Sequence, residues 1–365
     1  MNVTRYQVKR KLIVAIPAAL LLLTPIWLAP QGQENPTTAV PQADTCVIDP
    51  DGTAHITRVI PVPKTISPEA QKFISMPARP GPDPTLAQRR SGTDLFRIGR
   101  AKEAQQLFPV EIKEQTVGGV RCDIITPLNP PAAKHDRVLI NVHGGGFNSD
   151  SGSLVEGIPI ANLTATTVVS VYYRLAPEFP FPAAVDDTEA VYKELLKTHK
   201  PEKIGLFGTS AGAILTAEVA ARLRRDGLPL PGVLGIFSGT GDMSRAGDTQ
   251  AFYNVRGLAG NLVPPTATPH NSEYIGSTDP KDPVLSPIFA DLKGFPPTLF
   301  VTSTRDLLLS GTSDLHRAFL RAGVGAELVV FEALPHAFWY DYHLPETREA
   351  LDIMARFLDK NLGGQ

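Results

Sequence analysis

The chain has 365 residues, with 35 Lys and Arg against 37 Asp and Glu, a net charge of -2 at pH 7 and no basic stripe, which excludes a dedicated nucleic-acid binder. Its 42% hydrophobic and 20% charged residues exclude global disorder, a coiled coil and a polytopic membrane protein, and 34 Pro with 30 Gly point to many connections between elements. Two cysteines, Cys46 and Cys122, allow neither a disulfide scaffold nor a cysteine-ligated zinc site.

At the amino terminus, Arg5, Lys9, Arg10 and Lys11 precede an uncharged run from Leu12 to Ala29. At about 1.5 Å per residue a helix of that length spans roughly 27 Å, slightly less than a bilayer core, and Pro17 and Pro25 interrupt it. Residues 1–30 therefore read as a signal peptide or a membrane anchor. Either would leave the body membrane-anchored or exported, on the periplasmic or extracellular side, with the amino terminus cytoplasmic if the segment is uncleaved. Residues 31–60, with Pro36, Pro41 and Pro50 among polar side chains, read as a linker. Helical patterns follow over 61–108, where Ser67 is placed to cap a helix and Pro68 to occupy its first position.

From residue 109 to the end the chain alternates β-branched runs with helical stretches, the rhythm of βαβ units and a mostly parallel, doubly wound α/β sheet. The predicted strands are Val120 to Thr126, Val138 to Val142, Thr167 to Tyr172, Lys203 to Phe207, Val233 to Phe237, Thr298 to Thr302 and Leu328 to Phe331. Helices are predicted over Ala183 to Lys197, Ala211 to Arg225, Gly311 to Ala322 and Glu346 to Leu362. Alternation puts Cys122 on the apolar face of its strand, which favours a buried inert thiol; a bridge to Cys46 is the alternative if the body lies outside the cytoplasm. Residues 242–290 hold Pro264, Pro265, Pro269, Pro280, Pro283 and Pro287 and break the rhythm, so they are expected to leave the sheet and, with 61–108, to form a lid.

The strand ending at Phe207 runs into Gly208, Thr209, Ser210, Ala211 and Gly212, then into a helix. G-x-S-x-G between strand and helix places a serine on a sharp turn with its hydroxyl projecting, and the helix N-terminus offers backbone N–H groups to an oxyanion. The bland alternative is a glycine turn whose serine caps the helix. His143, Gly144, Gly145, Gly146 and Phe147 form a second glycine turn after a strand, able to aim N–H groups at one point; His143 itself reads as a brace of that loop. The run lacks the Lys-Ser/Thr of a P-loop and the spacing of a dinucleotide turn. A serine nucleophile needs a base, and His336 follows the last predicted strand, with His343 as rival. The carboxylate to orient it is Asp306, after the strand ending at Thr302, whereas Asp314 lies within a predicted helix and reads as a surface charge. The order Ser, Asp, His is that of α/β-hydrolases.

These stretches, together with YRLAPEFPFPAAVDD at 173–187, DPVLSP at 282–287 and PHAF at 335–338, resemble the bacterial hormone-sensitive-lipase-like carboxylesterases of the α/β-hydrolase superfamily (family IV, GTSAG branch). The resemblance implies an α/β-hydrolase fold with a helical cap. It assigns the triad to Ser210, Asp306 and His336, and the oxyanion hole to the N–H groups of Gly145, Gly146 and Ala211. No cofactor or metal is implied. The implied function is hydrolysis of short- to medium-chain acyl esters through an acyl-enzyme, and a homodimer is common in the family. Alternatives are a related acyl hydrolase for amides, lactones or acetylated sugars, and a non-catalytic relative that binds a small ligand. The chain departs from the family pattern at Thr209, where Asp is more frequent, and at Leu307 to Ser310, which replace Pro-Leu-Arg-Asp.

Overall fold

A computed structural model describes residues 44–76, 84–252 and 272–363, in two units that divide between Pro61 and Val62. In the first, β1 (Thr45–Ile48) and β2 (Ala54–Thr57) form an antiparallel hairpin. The β-branched residues on either side of Asp51-Gly52 account for it. Gly52 takes a positive φ of 89° at the turn, and Asp51 accepts the N–H of Thr53. The described part of the Pro-rich stretch thus carries a strand pair.

The second unit begins with α1 (Pro68–Ile74) and α2 (Leu86–Leu107), followed by β3 (Val110–Val117), β4 (Val120–Pro127), β5 (Val138–Val142) and α3 (Ser153–Thr164). Next come β6 (Thr167–Val171), α4 (Ala183–Leu195), β7 (Ile204–Thr209), α5 (Ala211–Arg225) and β8 (Val233–Phe237). After the short helices α6 (Thr249–Phe252) and α7 (Ser272–Ile275), the unit closes with β9 (Thr298–Arg305), α8 (Leu309–Arg321), β10 (Ala326–Pro335) and α9 (Pro345–Asn361). Strands β3 to β10 form one sheet in the order β10-β9-β8-β7-β5-β6-β4-β3, antiparallel only at β3/β4 and β4/β6. This is the mostly parallel, doubly wound α/β sheet expected from the alternation.

Burial on both faces explains why the central strands read as continuous apolar runs. In β5, Val138, Ile140 and Val142 join the core beneath α4 and α5, while Leu139 points to the other face with Val168, Phe207 and Leu299 beneath α3 and α9. Two elements escaped the sequence reading for physical reasons. β3 is an edge strand whose residues are mostly exposed, so its sequence shows no apolar period. α3 is buried almost all round and contains Pro159, which breaks the helical pattern. The carbonyl that Pro159 leaves without a helical donor, that of Val155, accepts the Tyr342 hydroxyl at 2.6 Å.

Ser67 caps α1 by accepting the Ala70 N–H and ties the helix to α9, its N–H and hydroxyl donating to Glu346 at 2.7 and 2.9 Å. The described parts of 242–290 leave the sheet between β8 and β9 and pack on α5 and α8. Cys122 is a buried free thiol, pushed up to about 12 mainly by burial, and Cys46 is an exposed one.

The membrane-anchored or exported location expected from residues 1–30 is corrected. Among the described residues no helix is long and apolar enough to cross a membrane. The expectation rested wholly on Leu12 to Ala29, which lie outside the described residues.

Candidate active site

Ser210 occupies the single residue between β7 and α5, with φ 61° and ψ -121°. A non-glycine residue held there costs on the order of 1–3 kcal/mol, so the surroundings must impose the turn. They do so by proximity. A Cβ on Gly208 or on Gly212 would collide with the Val142 carbonyl, and one on Gly144 would come within 3.3 Å of Ser210 Cβ. The Ser210 N–H is held by the Phe237 carbonyl of β8 at 3.0 Å. The hydroxyl makes no capping bond to α5, which removes the bland reading of this serine.

Beside it, Gly145 and Gly146 have φ of 118° and 64°. A Cβ on Gly145 would run into the Ser149 backbone, so only glycine fits. Among the described residues, the N–H groups of Gly145, Gly146 and Ala211 have no acceptor, so they remain available to a ligand oxygen. The loop is braced from below. His143 stacks on Tyr173 with centroids 4.1 Å apart, and the Tyr173 hydroxyl donates to the His143 carbonyl at 2.7 Å. Asp150 accepts the N–H groups of Gly152 and Ser153 and lies 3.6 Å from His143. Burial would raise its carboxyl, but the charge of His143, the bonds from Ser153 and the charge of Arg97 outweigh it and hold it below the usual carboxylate range. From α2, Arg90 donates to the carbonyls of Asn148 and Ala176 at 2.8 and 3.0 Å and pairs with Glu178, while Arg97 lies 3.4 Å from Asp150.

His336 follows β10 directly. The strand extends past the predicted Phe331 through a register shift to Pro335, which sets the histidine at the carboxyl edge of the sheet beside Asp306 from the end of β9. His336 Nδ1 lies 2.9 Å from Asp306 Oδ1. Asp306 also accepts the Leu308 N–H at 2.9 Å and the Thr302 hydroxyl at 3.0 Å. Burial alone would raise its carboxyl. The charge of His336 and hydrogen bonds from His336, Ser238 and Leu308 outweigh burial and hold it below the ordinary range. The structure brings Asp306 and His336 together, whereas Ser210 Oγ has no hydrogen bond to His336. His343 is exposed and bonded to Asp341 at 3.0 Å, and Asp314 is an exposed partner of Arg317.

Two further residues were missed by sequence reasoning. Ser238, at φ 57° after β8, lies with Oγ 2.7 Å from His336 Nδ1 and hydrogen-bonds Asp306 Oδ2. Glu156 on α3 is buried behind the elbow, accepting from Tyr340 and, at 3.1 Å, from Asn141. Burial pushes its carboxyl up to about 7; Tyr340, Thr209 and Asn141 offset part of this and Asp150 adds to the rise. Neither residue belongs to a motif, and only the packing of distant segments reveals them.

Residues 139–340 match the family of the α/β-hydrolase fold. The chain belongs to that family, in its bacterial hormone-sensitive-lipase-like branch. It is 34% identical over 236 residues to an acetyl-hydrolase of Streptomyces hygroscopicus, covering 62% of this chain and 77% of the relative. It is 30% identical over 294 residues to the carboxylesterase NlhH of Mycobacterium tuberculosis, covering 72% and 90%. Among solved structures, esterase E25 superposes with a TM-score of 0.70 at 31% identity, over 84% of this chain and 98% of that one. An esterase from the bacterial hormone-sensitive lipase family gives 0.69 at 29%, over 81% and 99%. This α/β-hydrolase therefore resembles esterases over most of the described body.

Proposed function

We propose that the protein is a carboxylic ester hydrolase working through a Ser210–His336–Asp306 triad and an acyl-enzyme. The observation that carries the reading is the buried Asp306–His336 pair at 2.9 Å, at the same sheet edge as a serine held at positive φ with its hydroxyl left free of the helix. His336 takes the serine proton as Oγ attacks the ester carbonyl, and the N–H groups of Gly145, Gly146 and Ala211 receive the oxyanion. Proton return to the alkoxy oxygen releases the alcohol; water, activated by the same imidazole, then frees the acid. Asp306 fixes the Nδ1–H tautomer, so that Nε2 keeps the lone pair the step needs.

The likeness to an acetyl-hydrolase and to carboxylesterases supports short- to medium-chain acyl groups as substrates. α1, α2 and the described parts of 242–290 are the elements that would form the cap over them. Hydrolysis of p-nitrophenyl esters of graded chain length tests the reading. The wild type should turn over the short esters, and Ser210→Ala should lose all but a trace; equal rates in the two proteins would refute it.

A further inference from the structure

We infer that Ser238 is a positioning residue for the acid–base pair, holding Asp306 and the Nδ1 edge of His336 in register through a single hydroxyl. The inference rests on the triad reading above.

Among the described residues, Ser238 is the side chain that hydrogen-bonds both partners: Oγ lies 2.7 Å from His336 Nδ1 and bonds Asp306 Oδ2. The polarity of this three-membered ring is determined. For Nε2 to accept the Ser210 proton, Nδ1 must carry hydrogen, so Nδ1–H donates both to Asp306 Oδ1 and to Ser238 Oγ. An ionised carboxylate only accepts, so the Ser238 O–H must donate to Oδ2. The hydroxyl hydrogen is then spent, and Oγ can meet Nδ1 only as an acceptor. The opposite tautomer would set the Nδ1 lone pair against Asp306 Oδ1 and, as long as the Ser238 O–H donates to Oδ2, against a lone pair of Ser238 as well. The serine therefore disfavours the inactive tautomer beyond what Asp306 does alone.

The placement carries a conformational cost. Ser238 is fully buried with φ 57°, a region that glycine tolerates and serine does not favour. Its N–H is fixed to the Val301 carbonyl of β9 at 2.7 Å, and the residue before it, Phe237, holds the Ser210 N–H. One β8 terminus thus grips the nucleophile turn through Phe237 and the acid–base pair through Ser238. A purely structural residue at this φ would be better served by glycine, which leaves the hydroxyl as the reason for serine.

The test is Ser238→Ala and Ser238→Gly in the full chain, beside Ser210→Ala and Asp306→Ala, with steady-state kinetics on p-nitrophenyl acetate and proton NMR of the downfield imidazole N–H region. Removing one hydrogen bond to a charged group is expected to lower kcat about ten- to a hundredfold with KM within about twofold. The Nδ1–H resonance should move upfield. Ser238→Gly, which relieves the φ strain, should be at least as heat-resistant as the wild type and yet as slow as Ser238→Ala. In the Asp306→Ala background the loss from Ser238→Ala should shrink. Wild-type kcat in Ser238→Gly, with an unmoved resonance, would overturn the inference while the triad stands. Full activity in Ser210→Ala would overturn both.

Discussion

Trp339 donates its indole N–H to the Thr209 hydroxyl at 3.0 Å, joining the residue before the proposed nucleophile to one three positions beyond the proposed base. The bond spans 130 residues of chain and is buried at both ends. Ser210 and His336 share no direct bond, so their separation depends on such links between their neighbours. Trp339→Phe leaves the Thr209 oxygen without this donor in a dry setting. It is expected to cost about 1–3 kcal/mol of stability, read by urea denaturation, and to lower kcat more than it changes KM.

The Thr209 side chain also helps to lower the carboxyl of Glu156, which gives a physical reason for a neutral residue where the family pattern more often has Asp. Thr209→Asp would face one buried carboxyl with another, and both cannot ionise without a large penalty. A fall in thermal midpoint of several degrees is expected. Glu156→Gln should recover part of it in the double variant, and additive losses in the two variants would show that the groups do not interact.

The carboxyls of Glu156 and Asp306 shift in opposite directions, so they give stability opposite slopes with pH. Glu156, raised from 4.5 to about 7, binds more protons folded than unfolded, so its contribution declines as pH rises through that interval and is flat above it. Asp306, held below 3.8, stabilises the fold above the ordinary carboxylate range, and this is lost as pH falls through its folded value. Glu156→Gln is therefore expected to flatten the decline between pH 4.5 and 7 in denaturation midpoints, and Asp306→Asn to remove part of the acid-side loss.

Arg90 makes two kinds of contact that differ in weight. Its pair with Glu178 is half in water, with side chains 31% and 50% exposed, so solvent screens most of the attraction. Its bond to the Asn148 carbonyl holds the glycine loop directly, and its bond to the Ala176 carbonyl holds the residue whose N–H donates to the Phe147 carbonyl of that loop. Glu178→Gln should leave kcat within about twofold, whereas Arg90→Ala should lower it about tenfold by loosening the loop. Equal effects would place the weight on the ion pair instead.

The central sheet was readable because buried parallel strands carry apolar runs whatever their neighbours do. β5 and β8 and helix α5 have the bounds read from Val138 to Val142, Val233 to Phe237 and Ala211 to Arg225. The elbow and the glycine loop were legible for a related reason, since backbone geometry there dictates residue type locally. α3 was not, because Pro159 is tolerated only where Tyr342 arrives from nearly two hundred residues away. Ser238 and Glu156 escaped similarly: a lone serine after a strand and a lone glutamate in a proline-interrupted stretch have no local pattern. The hairpin β1–β2 could have been found from Asp51-Gly52 between β-branched residues, a signal outweighed by the prolines around it.

The two arginines that steady the glycine loop lie on α2, upstream of the span 139–340 that matches the family. A polypeptide shortened to that span would retain Ser210, Asp306 and His336 but lack the side chains that hold the loop proposed to receive the developing negative charge. On the proposed reading, a competent fragment would start no later than the beginning of α2, because the matched span by itself carries the proposed nucleophile turn without the two guanidinium groups that hold the glycine loop in place.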